Sequence, residues 1–329
     1  MYDDLFTLIR MLAPPGQERL RHTMLALVQH YGPAAPIPPS DRLLDPMLFA
    51  WFSSPAPAVS LESQLGERPT RRRRVGPLEL IDEPHPLLER FFIDEQGLAH
   101  EVEIYETARR CATKIERALD LLERHARDVH DSILAATRAV LVFHAPGMNS
   151  FAAPGAHGIG FLNAALGDDE VFFIEDLAHQ CGHVVFHAMT LDRDRFLRVR
   201  GETPMGTIHG RGHDPRTVLD ALHGLFTEAL IAIALTRCAE SAEWTDRQRH
   251  ELSGRLAMIL RRYRGDLEDL AYPEIYSDGG LGLLRILYAI FTGLAIEHAA
   301  LVQACDFSNQ DYNFDYARFR ALNPPAVCA

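Results

Sequence analysis

The sequence predicts an α+β fold that is predominantly helical, in which a histidine-bearing helix lies beside a small β-sheet. Apolar residues recur at helical spacing over most of the chain, which is typical of amphipathic helices. Two short apolar runs, residues 140–143 and 158–162, have the length and composition of buried strands. The run that follows them, residues 169–189, carries His179 and His183, one helical turn apart.

Residues 1–100 are predicted to form an N-terminal module of helix and irregular chain. Residues 4–31 have helical periodicity, and the Pro-Pro-Gly sequence at 14–16 predicts a break, because proline lacks the N–H of a helical hydrogen bond. The proline-rich stretch 33–39 predicts an extended connector. No sustained periodicity follows before residue 100, so residues 101–329 are assigned to a metal-binding catalytic domain.

The second part of the chain predicts four further helices besides the one with the histidines. Residues 101–138 have one apolar face, residues 217–238 are apolar, and residues 245–270 are amphipathic. Residues 281–303 are almost entirely apolar, which predicts a deeply buried helix.

Composition and charge exclude several classes of function. A net charge of −12 argues against a general affinity for nucleic acid or an anionic membrane. No apolar run approaches the roughly 20 residues of a membrane span, and the acidic start of the chain has no signal-peptide pattern. The five scattered cysteines form no disulfide framework. These features predict a cytoplasmic protein, and they leave its oligomeric state open.

The most informative segment predicts a metal site. His179 and His183 are four residues apart on the predicted helix, so both imidazoles lie on one face and can reach one ion. The surrounding residues are apolar enough to bury this helix, and a shared divalent metal would give two desolvated histidines a partner.

Position 180 indicates the kind of chemistry. In zinc peptidases with the H-E-x-x-H motif, the Glu after the first His is the base that activates zinc-bound water. Here the residue is Gln180, and an amide cannot accept a proton near neutral pH. The sequence therefore argues against ordinary water-activated peptide hydrolysis.

Two residues are candidates for a third metal ligand. His223 and Glu228 are polar positions on the apolar helix 217–238, and they are about 140° apart around it. Glu228 would complete a two-histidine, one-carboxylate set of the kind found in non-haem iron oxygenases, whereas His223 would give a three-histidine site.

These residues resemble a family, the iron- and 2-oxoglutarate-dependent HExxH-type peptide β-hydroxylases that act with ribosomally made, modified peptides. The resemblance covers roughly residues 138–232. It rests on the two short strands, the turn at residues 148–155, the His179–His183 helix with its HQxxH variant of the motif, and the block 216–226 with an Arg followed by Leu-His-Gly.

The resemblance implies a zincin-like arrangement, a metal helix beside a small sheet, that holds Fe(II). His223 matches the family's downstream histidine better than Glu228 does, and Arg216 or Arg211 would pair with a 2-oxoglutarate carboxylate. The implied reaction is hydroxylation of a carbon, at the β position, of a peptide or a small amino-acid-like substrate in natural-product biosynthesis. An oxygenase needs no protein base for hydrogen abstraction, so Gln180 is compatible with it.

Two other functions stay open. The chain could be a zinc hydrolase with a displaced base, for which Glu175 or Glu228 are candidates. It could also be a non-catalytic descendant that uses the helix only as structure or to bind a peptide.

Overall fold

The computed structural model describes residues 2–32, 37–57, 59–66, 73–94, 96–211 and 214–325. The chain forms two compact units that draw on interleaved segments. We call Ile9–Asp120 with His130–Leu191 the sheet unit, and Met1–Leu8 with Leu121–Val129 and Asp192–Ala329 the helical unit.

The described residues are mostly helical, and their five short strands form one sheet, which confirms the α+β prediction. The strands are β1 Arg73–Val75, β2 Leu78–Ile81, β3 Ala139–Phe143, β4 Phe151–Ala152 and β5 Ile159–Asn163. The helices are α1 Asp3–Tyr31, α2 Pro46–Ser53, α3 Leu61–Gly66, α4 Tyr105–His125, α5 Arg127–Leu134, α6 Glu170–Met189, α7 Met205–His209, α8 Val218–Ala239, α9 Asp246–Asp269, α10 Asp278–Glu297, α11 Ala299–Ala304 and α12 Tyr316–Leu322.

The sheet is mixed, with the strand order β1-β2-β3-β5-β4. Its centre is parallel: β3 pairs with β2 on one side and with β5 on the other, while β1 and β4 are antiparallel edges. All five residues of β3 are buried, as expected for a central strand covered on both faces. The two strands predicted from the sequence, β3 and β5, are therefore neighbours at the centre of the sheet.

Helix α6 packs against β5 and begins at a well-defined N-cap. The carboxylate of Asp169 accepts a hydrogen bond from the backbone N–H of Val171 at 3.0 Å. Gly160 of β5 lies against α6: a Cβ there would stand 3.4 Å from Sγ of Cys181. The glycine thus lets the helix lie close to the strand, which fixes the face of α6 that is turned away from the sheet.

The predicted break at residues 14–16 is wrong, because α1 continues through both prolines. Buried residues on both sides of the prolines, Ile9 and Leu12 before them and Leu20 after them, hold the two halves in one helix. Gly16 brings α1 into direct contact with α6 at Ala188. Tertiary packing therefore outweighs the hydrogen bonds that proline removes.

We expect Gly16→Ala to destabilise the protein by about 1–3 kcal/mol, the usual cost of overpacking. A Cβ at residue 16 would overlap the backbone carbonyl oxygen of Ala188, which cannot rotate away as a side chain can. Urea denaturation measures the free energy of unfolding. Gly265→Ala is the matched control: nothing lies within 4 Å of its new Cβ in α9. That change should stabilise the helix by up to about 1 kcal/mol, and equal effects at both positions would contradict the packing argument.

The helical unit contains the long helices predicted at 217–238, 245–270 and 281–303. Helices α8 and α9 both begin with capping boxes, formed by Thr217 with Asp220 and by Thr245 with Gln248. These two helices pack against each other.

The prediction that the segment 281–303 is deeply buried is wrong. Helix α10 buries only one face, with Leu283, Leu287, Ile290 and Leu294, while Tyr288 is 61% exposed. Composition alone cannot predict which faces of an apolar helix find a partner.

Helices α8 and α10 both have the length and hydropathy of a membrane span. In α8 the most apolar stretch is 78% buried inside the protein, as in the core helix of a globular fold, whereas in α10 the share is 28%. These values are compatible with a soluble protein.

Candidate metal site

The two histidines of the predicted motif lie side by side on α6. The ring centroids of His179 and His183 are 4.9 Å apart, and both side chains are half-buried. Glu175 and His187 continue the same line at four-residue spacing and are also half-buried, whereas the apolar faces of α6 are fully buried. The helix thus presents one polar, accessible stripe, and the histidine pair lies in the middle of it.

Gln180 does not stand free beside the histidine pair. Its amide nitrogen donates to Oδ1 of Asp176 at 3.3 Å and lies 3.1 Å from Nδ1 of His179. A neutral His179 with its proton on Nε2 accepts this second hydrogen bond. Gln180 is 2% exposed, so its side chain is committed to these two neighbours.

Asp176 anchors this network from the interior. Its Oδ2 accepts a hydrogen bond from the hydroxyl of Ser150 at 2.7 Å, and the Ser150 oxygen accepts from the backbone N–H of Asn163 at 2.8 Å. Burial raises the pKa of Asp176 to about 7, although the hydrogen bonds from Ser150 and Gln180 lower it. Near neutral pH the carboxyl group is therefore present in both protonation states.

A second cluster lies one turn further along α6. Nδ1 of His187 is 3.0 Å from Nδ1 of His157, and Nε2 of His157 is 2.8 Å from the amide nitrogen of Gln17. Burial holds the pKa of His157 well below its usual value, so its ring is neutral. Both ring nitrogens of His157 are engaged, so we assign this cluster a structural role.

The two candidates for a third ligand both lie on α8 in the helical unit. His223 is half-buried and Glu228 is 5% exposed. Burial raises the pKa of Glu228 well above its usual value, the negative charge of Asp266 raises it further, and the Arg262 guanidinium, 3.9 Å away, lowers it. A carboxylate must be deprotonated to bind a metal, so Glu228 would have to release a proton on binding.

The arginines predicted to bind 2-oxoglutarate are engaged with carboxylates of the helical unit. The Arg216 guanidinium donates to Asp266 at 2.6 Å, to Asp214 at 2.7 Å and to Asp269 at 2.8 Å. The more exposed Arg211 donates to Asp269 at 2.7 Å. As arranged here, Arg216 does not fit a receptor for a further carboxylate.

The chemistry of the histidine pair fits a divalent metal, since imidazoles bind iron and zinc well. Within the described ranges, however, no three His, Cys, Asp or Glu side chains come together as a complete ligand set. His213 lies outside those ranges. The side chain of His209 is buried and contacts residues of its own loop. Its Nε2 lies 3.4 Å from Oδ2 of Asp214, and its Nδ1 accepts a hydrogen bond from the backbone N–H of Arg211.

The residue that sequence reasoning missed is Asp176. A signal was present, because Asp176 lies four residues before Gln180 and so on the same helical face, within an otherwise apolar run. The contribution of Ser150 could not be foreseen, since it comes from the loop before β4.

No family model and no curated protein sequence matches the chain. The resemblance to peptide β-hydroxylases therefore rests on the motif residues alone.

Proposed function

We propose that this protein is a metal-dependent oxygenase in which His179 and His183 bind Fe(II), with 2-oxoglutarate as cosubstrate, and that it hydroxylates a carbon of a peptide or amino-acid-like substrate. The observation that carries the proposal is the adjacent, half-buried imidazole pair on α6 together with the engagement of Gln180. Bound iron with its cosubstrate would supply the oxidising chemistry, and the chain would bind and orient the metal and the substrate.

Gln180 suits a positioning role better than the role of a base. A histidine that binds metal through Nε2 carries its proton on Nδ1, and that proton needs an acceptor. Rotation of the Gln180 amide would turn its carbonyl oxygen toward His179 and meet this need. A protonated Asp176 could then donate to the same oxygen. The amide would thus fix the ring and its tautomer, as carboxylates do at many metal sites.

The sequence offers His223 or Glu228 as the third ligand of the proposed site and Arg216 or Arg211 as the receptor for the cosubstrate. Three carboxylates already surround Arg216, which argues against it as that receptor. Arg211 has one carboxylate contact and a side chain that is 65% exposed, which leaves it the better candidate for pairing with 2-oxoglutarate.

The proposal predicts a spectroscopic signature. With Fe(II) added anaerobically, 2-oxoglutarate should produce a weak visible charge-transfer band that is absent with either component alone. His183→Ala should abolish the band and strongly weaken iron binding, because it removes one of the proposed ligands. His22→Ala is the control, since the side chain of His22 is 71% exposed on α1. Tightly bound zinc, with no band under any condition, would contradict the oxygenase assignment.

Asp176 favours one alternative, a zinc hydrolase with a displaced base. A carboxyl group with a pKa of about 7 has the proton affinity that general-base catalysis near neutral pH requires. Under this alternative, Asp176→Asn would abolish zinc-dependent hydrolysis and leave the zinc content unchanged. Under the oxygenase proposal, no zinc-dependent hydrolysis is present to lose.

A further inference from the structure

The helical unit contains a second place where a ligand would fit, a cavity of about 510 Å³. It is formed by the start of α1, the junction of α4 and α5, and the ends of α8 and α10. Its volume is within the range of small-molecule sites in proteins. None of the residues discussed for the metal site or for the Arg216 cluster lines it.

The lining of the cavity includes apolar side chains and a histidine with an unpartnered nitrogen. Phe6, Val129 and Ile233 line it and are buried. His125, the last residue of α4, also lines it, and its Nε2 is buried without a hydrogen-bond partner in the described part of the chain.

Seven charged side chains line the cavity, and two of them, Arg237 and Glu240, are not paired. Arg237 and Glu240 are three residues apart at the end of α8, a spacing at which side chains commonly pair. They form no ion pair with each other or with any other described residue: Arg237 instead lies over the ring of Tyr2, 5.3 Å from its centroid. Glu297 also lines the cavity, and its Oε1 is 3.6 Å from Nε2 of His298.

The charges of Glu297 and Glu240 both raise the pKa of Tyr2, after burial as the main cause. Both carboxylates therefore act on the same buried phenol, beneath the Arg237 guanidinium. The lining thus offers the Arg237 cation and the carboxylates of Glu240 and Glu297, together with apolar side chains.

We propose that this cavity binds a small zwitterion, an α-amino acid with an apolar side chain. Arg237 receives the carboxylate, Glu240 and Glu297 receive the ammonium group, and the ligand's side chain packs toward Phe6, Val129 and Ile233. Each charge is then met by a charge-assisted hydrogen bond, which neither a simple amine nor a simple acid can match. This inference goes beyond the proposed oxygenase and does not depend on a metal.

Calorimetric titration of the metal-free full chain tests the inference, with L-leucine and L-phenylalanine as probes. Isopentylamine lacks the carboxylate of leucine, and 4-methylpentanoate lacks its ammonium group. Either loss should weaken binding by about tenfold or more, because one charged partner is left unpaired. Arg237→Gln and Glu240→Gln should cause similar losses, and Glu240→Gln breaks no side-chain hydrogen bond or ion pair among the described residues.

Two controls keep the test specific. Glu274→Gln and Arg285→Gln remove exposed charges of the helical unit outside the cavity and should bind the amino acids as the wild type does. The inference is overturned if neither amino acid binds below about 10 mM, a very weak affinity. It is also overturned if the singly charged analogues bind equally well, or if the cavity variants bind like the controls. Iron binding at His179 and His183 is measured separately, so one result does not decide the other.

Discussion

Arg216→Met is expected to lower the free energy of unfolding by about 2–3 kcal/mol at pH 7, because it leaves grouped carboxylates without their cation. In the wild type one guanidinium holds Asp214 before α8 and both Asp266 and Asp269 in the last turn of α9. Carboxylates at a helix C-terminus are repelled by the negative end of the helix dipole, and the Arg216 cation offsets this repulsion. One third of the Arg216 side chain is exposed, which keeps the expected loss below that of a fully buried pair.

The effect of pH gives this prediction a definite sign. The Arg216 guanidinium holds the pKa of Asp214 well below its usual value, so its contribution to stability is present above pH 4 and is lost as the pH falls further. Without the guanidinium, mutual repulsion raises the carboxyl pKa values, so the variant gains stability as the pH falls from 7 toward 4. The stability difference between wild type and variant should therefore shrink on acidification.

Chemical denaturation at several pH values measures this difference. Arg211→Met is the control: its side chain is 65% exposed and makes a single contact with Asp269, so we expect a loss of less than about 1 kcal/mol. If Arg216 is instead a free receptor for 2-oxoglutarate, its loss should weaken cosubstrate binding and leave stability unchanged. A stability difference that stays constant from pH 7 to pH 4 would contradict the electrostatic explanation.

The elements that the sequence predicts well are those with a strong local pattern. The apolar runs that become β3 and β5 and the periodic stretches that become α6, α8 and α9 were all expected close to their observed positions. The histidine pair follows from helix geometry alone, since residues four apart share a face. A local sequence pattern is sufficient to predict an element whose conformation does not depend on a particular long-range contact.

The features that the sequence does not predict depend on long-range contacts. Strand β2 is too short to be distinctive and is a strand because it pairs with β3, almost sixty residues further along the chain. Helix α1 continues through Pro14 and Pro15, with buried residues on both sides of them and with Gly16 packed against Ala188 of α6. The carboxylates around Arg216 could not be assigned either, since Asp266 and Asp269 come from α9.

Gln180→Glu restores the complete H-E-x-x-H motif, and we expect it to destabilise the protein without producing a peptidase. The new carboxyl group would replace an amide that donates to Oδ1 of Asp176 at 3.3 Å. Two buried carboxyl groups would then face each other without an amide donor between them. Such a pair retains a proton, and the expected loss is about 2 kcal/mol of unfolding free energy at pH 8. The hydrogen bond from the amide to His179 would be lost as well.

The pH dependence again distinguishes this cause from simple mispacking. Burial already raises the pKa of Asp176 to about 7, so its protonated form contributes stability at low pH that is lost as the pH rises through 7. A second carboxyl group beside it should steepen this decline, so the variant should approach wild-type stability near pH 5 and fall furthest below it at pH 8.

The double variant Asp176→Asn/Gln180→Glu provides the control, because it places one amide and one carboxyl group back across the same gap. We expect it to recover most of the stability that Gln180→Glu loses, and a double-mutant cycle over the four proteins measures this coupling directly. If the two changes are additive, residues 176 and 180 do not interact as the structure indicates. If Gln180→Glu gains zinc-dependent peptide hydrolysis, residue 180 reaches metal-bound water, and the hydrolase becomes the better assignment for the histidine pair.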